Sequence, residues 1–398
     1  MPDEQGVPPP RYPRASRWPT PSQARRCVHD LWEPLSLSDG RDLYHLMFGK
    51  DILMWAWLRV SRKPGRNLAG IDGRTVRQIQ RSGVTEFLED LRAALKQGRY
   101  SPMRTWTRSL PGRESHIRAV QDRVVESALG AILRPLFDYH PHAVAYRPRC
   151  SPRSVLEILS RYGMGFDLGV RLDISHAFGE IRHDWVMSQV AIKAKDRKVL
   201  GLVEMLLASA GTDDPWAKYG RPKGIGQGTA ISTVLFEIAM RPVDALFPVH
   251  PLHPRAVSRD NNWTDRRKDP APAVHVRYGD DILVLVAGGR AQGIWHRDRV
   301  EAACNQMGVR LNHRKSQMAP LTKGMDFLGL NFRWPGPRIT VSEERIVRWA
   351  SELDKSLGSE ETTKRLIQSK RDWLQMMGAD VNDARTRLSA ALARLGRE

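Results

Sequence analysis

The sequence predicts an α+β fold from three groups of segments. Apolar residues recur at helical spacing over residues 43–60 and again in the stretch TEFLEDLRAALKQG. Two later segments, GVRLDISHAF and HVRYGDDILVLVAG, have the apolar character of buried strands, although each contains acids. Three stretches near the end of the chain each combine a helix-capping residue with amphipathic spacing. We therefore expect helices packed with a sheet.

The chain of 398 residues carries a large positive charge. Lys and Arg number 63 against 44 for Asp and Glu, which gives a net charge of +19 and a pI near 10.3. Positive charge attracts polyphosphate through counterion release, while a membrane surface and a coding bias toward Arg are the alternatives. Charge by itself thus favours a nucleic acid as the partner without establishing it.

Cysteine content and hydropathy point to a reducing compartment. The three cysteines, Cys27, Cys150 and Cys304, are spaced for neither a zinc knuckle nor a disulfide framework. No apolar run approaches the roughly 18 residues that cross a bilayer, and the N-terminus has no signal-peptide core. We expect a cytoplasmic protein without a membrane partner.

The first half of the chain is expected to be mainly helical. Residues 1–35 are basic and proline-rich, which predicts a poorly ordered tail. The helical pattern over 43–60 would open the folded part, and a second amphipathic helix would end at Gly98. A strand-rich basic segment is expected from Tyr100 to Arg118. Further helical patterns cover residues 119–137 and 152–160.

Three acids interrupt the apolar strands: Asp173 in the first, and Asp280 and Asp281 in the second. A carboxylate buried in a strand costs several kcal/mol unless it is paired or holds a cation. Two-metal nucleotidyl transfer needs carboxylates from separate segments, holding cations roughly 3.5–4 Å apart, and Mg²⁺ prefers such hard oxygen ligands. A surface loop or a helix cap would explain any one of these acids alone, but the set of three favours a metal site.

Several motifs follow one another between residues 70 and 332: GIDGRTV, QDRVVESALGAILRPLFD, AYRPRCSPRSVLEIL, RLDISHAFGEIRHDWV, GIGQGTAISTVLFEIAM, VRYGDDILVLV, VRLNHRKSQ and DFLGLNF. Their order resembles that of the reverse transcriptases of bacterial group II introns and their stand-alone relatives. The resemblance covers roughly residues 43–333. It implies a right-hand polymerase fold with fingers, a palm with an antiparallel sheet, and a small helical thumb.

The resemblance also assigns the chemistry of the catalytic motifs. Asp173, Asp280 and Asp281 match the metal ligands, and Ile174, beside Asp173, is placed with the metal and nucleotide ligands. Lys315 matches a lysine near the leaving pyrophosphate, where an ammonium group could stabilise developing charge. A solvated lysine is the alternative for Lys315.

Other motif positions imply contacts with the incoming nucleotide. Phe178 matches the aromatic residue that blocks a ribose 2′ hydroxyl, with ordinary core packing as the alternative. Gln227 and Gly228 match the pair that lines the nucleotide, although a glycine-rich turn before a helix would need the same residues. Arg118 and Arg113 compete for the role of the fingers arginine that binds the triphosphate. The primer-gripping hairpin is assigned to Phe327, Leu328 and Gly329.

The same resemblance predicts the domain boundaries. The polar stretch between the palm motifs includes His250 and His253, which we interpret as solvent-exposed rather than as metal ligands. The predicted parts are a basic tail (1–35), an N-terminal extension with fingers (36–165), a palm (166–335) that contains the polar loop 247–273, and a helical thumb (336–398).

These roles lead to an expected activity: RNA-directed DNA polymerase with two Mg²⁺ ions, or Mn²⁺ in their place. The expected partners are an RNA template, a DNA or RNA primer and deoxynucleoside triphosphates, with a dedicated non-coding RNA as a further candidate. Similarity to defence-associated reverse transcriptases suggests a role against phage. An RNA-directed RNA polymerase, a template-independent polymerase and a catalytically silent nucleic-acid-binding protein stay open, as does the oligomeric state.

Overall fold

The structure is a computed structural model that describes residues 17–63, 65–110, 113–147, 150–209, 222–249, 271–334, 338–356 and 359–394, with only the backbone of 107–110 and 113–115. Most of the polar loop 247–273, with His250 and His253, lies outside these ranges. The chain forms two compact units. The first contains residues 1–139, 176–241 and 306–309, and the second contains 140–175, 242–305 and 310–398. The predicted domain boundaries stay a prediction.

The helices are, in chain order, α1 (Pro21–Ser36), α2 (Lys50–Arg62), α3 (Val76–Ser82), α4 (Val84–Lys96), α5 (Val120–Leu133), α6 (Pro152–Tyr162), α7 (Ala177–Glu180), α8 (His183–Ala191), α9 (Arg197–Ser209), α10 (Ser232–Asp244), α11 (Arg290–Met307), α12 (Glu343–Ser356), α13 (Glu360–Met377) and α14 (Val381–Arg394). The strands are β1 (Trp106–Leu110), β2 (Arg113–Ile117), β3 (Leu168–Ser175), β4 (Ala273–Tyr278), β5 (Asp281–Val286), β6 (Arg310–Leu311), β7 (Gln317–Pro320), β8 (Met325–Phe327), β9 (Leu330–Arg333) and β10 (Arg338–Val341).

Helix α1 corrects the expectation of a poorly ordered tail, at least from residue 17 onward. Thr20 and Gln23 form a capping box at its start, and Pro21 occupies the first helical position. Four of its apolar residues, Ala24, Val28, Leu31 and Leu35, are buried, and the helix packs against α2. The basic and proline-rich composition obscured this amphipathic pattern, because the apolar residues recur at intervals of three and four among charged neighbours.

The first unit is built around the buried helix α5. Twelve of its residues are buried, including Asp122 and Glu126, and it packs against α2. The helix expected over 43–60 is divided in two, because a 3-10 turn at Tyr44–Phe48 precedes α2 and extended Gly49 separates them. The strand-rich segment is confirmed as the antiparallel hairpin of β1 and β2.

The central sheet of the second unit is antiparallel. Its strands follow the order β4-β5-β3-β6, and β7 also pairs with β3. Five of the six residues in each of β4 and β5 are buried. Fully buried strands read as continuous apolar runs rather than alternating ones, which is why the sequence pattern identified both strands.

A second, three-stranded sheet and the last helices complete this unit. Strands β8, β9 and β10 pair in sequence order, and the three helices predicted for the end of the chain are confirmed as α12, α13 and α14. Ser359 caps α13, since its hydroxyl accepts the Thr362 amide at 3.4 Å. The α+β class expected from the sequence is therefore correct. None of the described helices has both the length and the apolar character that a bilayer crossing requires.

Candidate active site

The three predicted metal-binding carboxylates lie at one end of the central sheet. Asp173 is near the end of β3 and Asp281 is the first residue of β5, where the two residues pair directly across the strands. Asp280 lies in the two-residue turn between β4 and β5. Directly paired residues of antiparallel strands have Cβ atoms about 5 Å apart, so the fold itself brings carboxylates from distant segments together.

Burial and mutual repulsion make it unfavourable to ionise the three carboxyl groups when no cation is bound. Burial, and then the charges of Asp280 and Asp173, raise the pKa of Asp281 to about 6. Burial and Asp173 also raise the pKa of Asp280. The positive charges of Arg171 and Lys315 act in the opposite direction on Asp281. Such perturbed carboxylates are typical of functional sites, because a bound cation removes the cost of ionising them.

A buried ion pair stabilises the turn that carries Asp280. Arg277 is fully buried and its Nε and Nη2 atoms each donate to Asp244 at 2.8 Å. Its Nη1 atom donates to the carbonyl of Gly279 at 3.0 Å. Although burial alone would raise it, the guanidinium holds the pKa of Asp244 well below its ordinary value. Sequence reasoning missed this pair because Asp244 lies on α10, far along the chain from β4.

Gly279 precedes Asp280 in the turn between β4 and β5. Its φ is +69°, a conformation that suits glycine. A Cβ atom there would lie 3.2 Å from the Tyr146 hydroxyl oxygen. The hairpin turn and this close approach together favour glycine.

A cavity of about 470 Å³ within the second unit is lined by two of the three carboxylates, Asp173 and Asp281. It brings together several of the predicted site residues with others that the sequence did not single out. It is lined by Arg171, Asp173, Tyr278, Asp281, Lys315, Leu328, Gly329, Arg345 and Trp373, among others.

Arg171 connects two parts of this cavity wall. Its Nη2 atom donates to the carbonyl of Lys315 at 2.9 Å, and its Nη1 atom donates to the carbonyl of Asp326 at 3.2 Å. Asp326 opens the segment assigned to the primer grip. Arg171 precedes Asp173 by two residues, so both side chains point to the same face of β3. The alternation of side chains along a strand was therefore a sequence signal that could have identified Arg171 as a residue of the site.

The segment assigned to the primer grip is a tight hairpin between β8 and β9. Leu328 and Gly329 form its turn with φ values of +51° and +79°, as a two-residue turn of the I′ type requires. Phe327 points into the core and is 1% exposed. Arg345 donates to the Leu328 carbonyl at 3.3 Å and lies over the Trp373 ring at 4.3 Å. Helices α12 and α13 thereby hold the hairpin, which the sequence motif did not indicate.

We expect Gly329→Ala to lower the free energy of unfolding by about 2–4 kcal/mol. The left-handed backbone costs about 1–2 kcal/mol for a residue with a Cβ atom, and the Cβ would overlap the Arg345 guanidinium. Gly98→Ala is the matched control, because Gly98 has a φ of +67° but nothing within 4 Å of its Cβ position. Urea unfolding of both variants separates the cost of the left-handed backbone from the cost of the overlap between the Cβ atom and Arg345. Equal losses in the free energy of unfolding would contradict the overlap.

The first unit holds the residues assigned to the nucleotide except Ile174, which lies on β3 of the second unit. Phe178 stacks on Phe236 with ring centroids 4.4 Å apart, and its carbonyl accepts the Ile225 amide at 2.8 Å. The Gln227 carbonyl accepts the His116 amide at 3.0 Å, while Gly228 is exposed with a φ of +93°. Their roles toward a nucleotide stay predictions.

The two candidate fingers arginines differ in what the structure describes. Arg118 is 2% exposed and donates to the Ser209 hydroxyl and the Leu206 carbonyl, both at 2.7 Å. Its Nε atom lies 2.5 Å from Glu126. Arg113 belongs to β2, and its side chain lies outside the described atoms. Arg118 also lines a cavity of about 170 Å³. Three further basic residues line it that the sequence did not single out: Lys63, Arg66 and Arg123.

Comparison with known proteins agrees with these features. The sequence model of the family described as "Reverse transcriptase (RNA-dependent DNA polymerase)" matches residues 111–332, more than half of the chain. The chain is 24% identical to the COX1/OXI3 intron 1 protein of Saccharomyces cerevisiae over 82% of its own length and 43% of that protein. It is 26% identical to protein YkfC of Escherichia coli over 71% of the chain and 80% of that protein.

A third relative is the group II intron-encoded protein LtrA of Lactococcus lactis, which is 20% identical over 73% of the chain and 56% of LtrA. The chain thus spans about half the length of two of these three relatives. It belongs to the reverse transcriptase family. Within that family it is of the group II intron-like kind, and the right-hand polymerase fold expected from its motifs is confirmed by the family match.

Proposed function

We propose that the chain is an RNA-directed DNA polymerase that adds deoxynucleotides to a primer 3′ hydroxyl. The observation that carries the proposal is the direct pairing of Asp173 with Asp281, beside Asp280 in the turn. Three carboxylates at one sheet end, two of them with a raised pKa, form a site that a cation stabilises. Membership of the reverse transcriptase family supports the choice of reaction.

The donor set fits Mg²⁺, because all three side chains offer hard oxygen ligands. Asp173, Asp280 and Asp281 would hold two ions, with Ile174 beside them, and Mn²⁺ is the alternative ion. When bound, such ions lower the pKa of the attacking hydroxyl and stabilise charge on the phosphate. The three half-buried carboxylates lie on paired strands and the turn between them, not on a flexible loop. Strand pairing therefore fixes their geometry, which suits the binding of metal ions.

Other residues of the same cavity have roles that follow from their chemistry. The exposed ammonium group of Lys315 lies in the cavity wall with Asp173 and Asp281, so it can stabilise negative charge on the leaving pyrophosphate. Leu328 and Gly329 offer a rigid turn in the same wall and are proposed to hold the primer end. The excess of basic residues would bind the template–primer backbone with strong salt dependence.

Primer extension on a poly(rA)/oligo(dT) template with Mg²⁺ tests the proposal. Wild-type protein should extend with dTTP, and Asp280→Ala combined with Asp281→Ala should abolish extension. Extension with UTP alone would favour the RNA polymerase alternative, and extension without template would favour the template-independent one. Absence of extension by folded wild-type protein, on this template and on copurified RNA, would favour the silent nucleic-acid-binding protein.

Phe178 is proposed to exclude ribonucleotides. Phe178→Val should raise incorporation of UTP relative to dTTP by about 10-fold or more, since one methylene group of space in a pocket already changes discrimination by about 10–200-fold. Phe137→Val is the matched control, since Phe137 is a buried phenylalanine of the same unit and lies outside the motif RLDISHAFGEIRHDWV that contains Phe178. If Phe178 only packs in the core, both variants will lose stability and neither will change the nucleotide preference.

The proposal extends to partners and biological role. Template RNA, primer and deoxynucleotides are the proposed ligands, with a dedicated non-coding RNA as a further candidate, and a cytoplasmic location stays a prediction. A defence role predicts that phage plating efficiency falls in cells expressing the wild-type protein but not the Asp280→Ala, Asp281→Ala variant. Equal plating on both strains would remove the defence role without touching the polymerase proposal.

A further inference from the structure

Three histidines converge in the second unit, apart from the carboxylates. His140 and His142 follow the short helical turn Arg134–Leu136 in the chain, and His275 lies on β4. One ring nitrogen from each histidine lies within 4.8 Å of the others. His142 is 3% exposed and His275 is 0% exposed. Among the described residues, this is the one cluster of its kind that could ligate a metal through nitrogen.

Each ring has a buried nitrogen that lacks a hydrogen-bond partner: Nε2 of His140, Nδ1 of His142 and Nδ1 of His275. A buried polar atom without a partner costs about 1–3 kcal/mol, so three such atoms within one cluster destabilise the protein. Two aromatic rings pack beside the cluster, since the ring centroids of His275 and Phe247 lie 4.5 Å apart and those of His142 and Tyr162 lie 5.1 Å apart. A shared ligand would satisfy all three nitrogens at once.

Asp244 sets the tautomer of His275. Its Oδ1 atom lies 3.2 Å from His275 Nε2, and a carboxylate can only accept, so Nε2 carries the proton. The lone pair of His275 is then on Nδ1, the buried nitrogen without a partner. A carboxylate that holds the far nitrogen of a metal-binding imidazole is a recurrent feature of protein metal sites.

We propose that His140, His142 and His275 bind one transition-metal ion of the Zn²⁺ class at a site separate from the catalytic carboxylates. Neutral imidazole nitrogens suit Zn²⁺, Co²⁺ or Ni²⁺, whereas Mg²⁺ prefers oxygen. Burial, together with neighbouring histidines, lowers the pKa of His140 and His142 to about 4, so both rings are neutral at pH 7. Tetrahedral Zn²⁺ with bonds of about 2.0–2.1 Å places its ligand atoms about 3.3 Å apart, so small side-chain rotations close the site.

The ion would stabilise the strand that leads to the catalytic turn. The His142 carbonyl accepts the Arg277 amide at 2.9 Å, and the Val144 amide donates to the Arg277 carbonyl at 2.9 Å. His275 precedes Arg277 by two residues on β4, and both contact Asp244. Metal binding would therefore cross-link residues 140–144 to β4 through side chains as well as backbone.

The three ligands are not equivalent. His140 Nδ1 accepts the His142 amide at 3.2 Å, so the neutral ring carries its proton on Nε2. Binding of the ion at Nε2 moves that proton to Nδ1, which then faces another donor, and the contact must lengthen. His140 is thus the weakest ligand, and its replacement should weaken binding less than replacement of His142.

Cobalt titration tests the site without reference to polymerase activity. The metal-stripped full chain is titrated with Co²⁺ in excess Mg²⁺, which occupies the carboxylates. We expect one Co²⁺ per chain, the strong visible absorption of four-coordinate cobalt, and its displacement by Zn²⁺. His142→Phe, which keeps an aromatic ring beside Tyr162, should weaken binding by about 100-fold or more, and His140→Ala by less.

Two controls assign the signal. His296→Phe replaces another buried histidine of the unit, whose Nε2 lies 2.9 Å from the Ala271 carbonyl, and should leave cobalt binding unchanged. Asp281→Asn should also leave it unchanged, whereas a loss there would assign the cobalt to the catalytic carboxylates and overturn the proposal. Absence of four-coordinate absorption in folded wild-type protein, or equal binding by wild type and His142→Phe, would overturn it too. Each result is independent of whether the chain polymerises DNA.

Discussion

Asp281→Asn is expected to lower primer extension by about 10³-fold or more while making the metal-free protein more stable at pH 7. The loss of activity follows from the loss of a charged oxygen ligand in the carboxylate cluster. The gain in stability follows from the raised pKa of Asp281, about 6 because of burial and then of Asp280 and Asp173. When a carboxyl group has a raised pKa in the native state, its ionisation at neutral pH destabilises the native protein relative to the unfolded chain.

The pH window of this gain is defined by the two pKa values of Asp281. An unfolded aspartate titrates near pH 3.9, so between about pH 4 and pH 6 the native protein holds a proton that the unfolded chain has lost. Wild-type stability therefore falls as the pH rises through this window, and the Asn variant avoids that fall. Its advantage should be absent near pH 4 and complete above about pH 6, at about 1–2 kcal/mol after allowance for partial solvent screening.

Urea unfolding in EDTA at several pH values, together with primer extension, measures both effects. Asp90→Asn, which replaces an exposed carboxylate of α4, should change neither activity nor stability. Mg²⁺ should stabilise the wild type more than Asp281→Asn. A variant that keeps more than about a tenth of the activity would contradict a metal-binding role for this residue.

Asp244→Asn is expected to destabilise the protein by about 3–5 kcal/mol, the cost of breaking a buried ion pair from one side. Arg277 is fully buried, and both hydrogen bonds to Asp244 are 2.8 Å long. An amide can accept only one of them, and it leaves the guanidinium charge without its counterion. Because Arg277 also donates to the Gly279 carbonyl, primer extension should fall even under conditions where the variant stays folded.

The control for Asp244 is an exposed ion pair in the same unit. Glu360→Gln removes the partner of Lys364 on the surface of α13, and exposed helix pairs contribute only about 0.3–0.5 kcal/mol. Urea unfolding of the two variants compares the buried with the exposed pair. A loss below about 1 kcal/mol for Asp244→Asn would mean that the turn does not depend on the pair.

Local patterns predicted much of this fold. Strands β3, β4 and β5 were recognisable because buried strands are continuous apolar runs, and the acids within them stood out as costly exceptions. The C-terminal helices were recognisable from their capping residues and amphipathic spacing. Helix α1 was missed because composition outweighed periodicity: its four buried residues are scattered among charged and polar ones.

The family, the α+β class and the candidate catalytic acids could be predicted from the sequence, since each depends on patterns within short motifs. The contacts between distant groups are visible only in the folded chain: Asp244 with Arg277, Arg345 with the Leu328 turn, and His140 and His142 with His275. Periodicity and capping are short-range properties of the chain and can be read along it. Partners separated by many residues are selected by strand pairing and helix packing, which depend on the whole core at once.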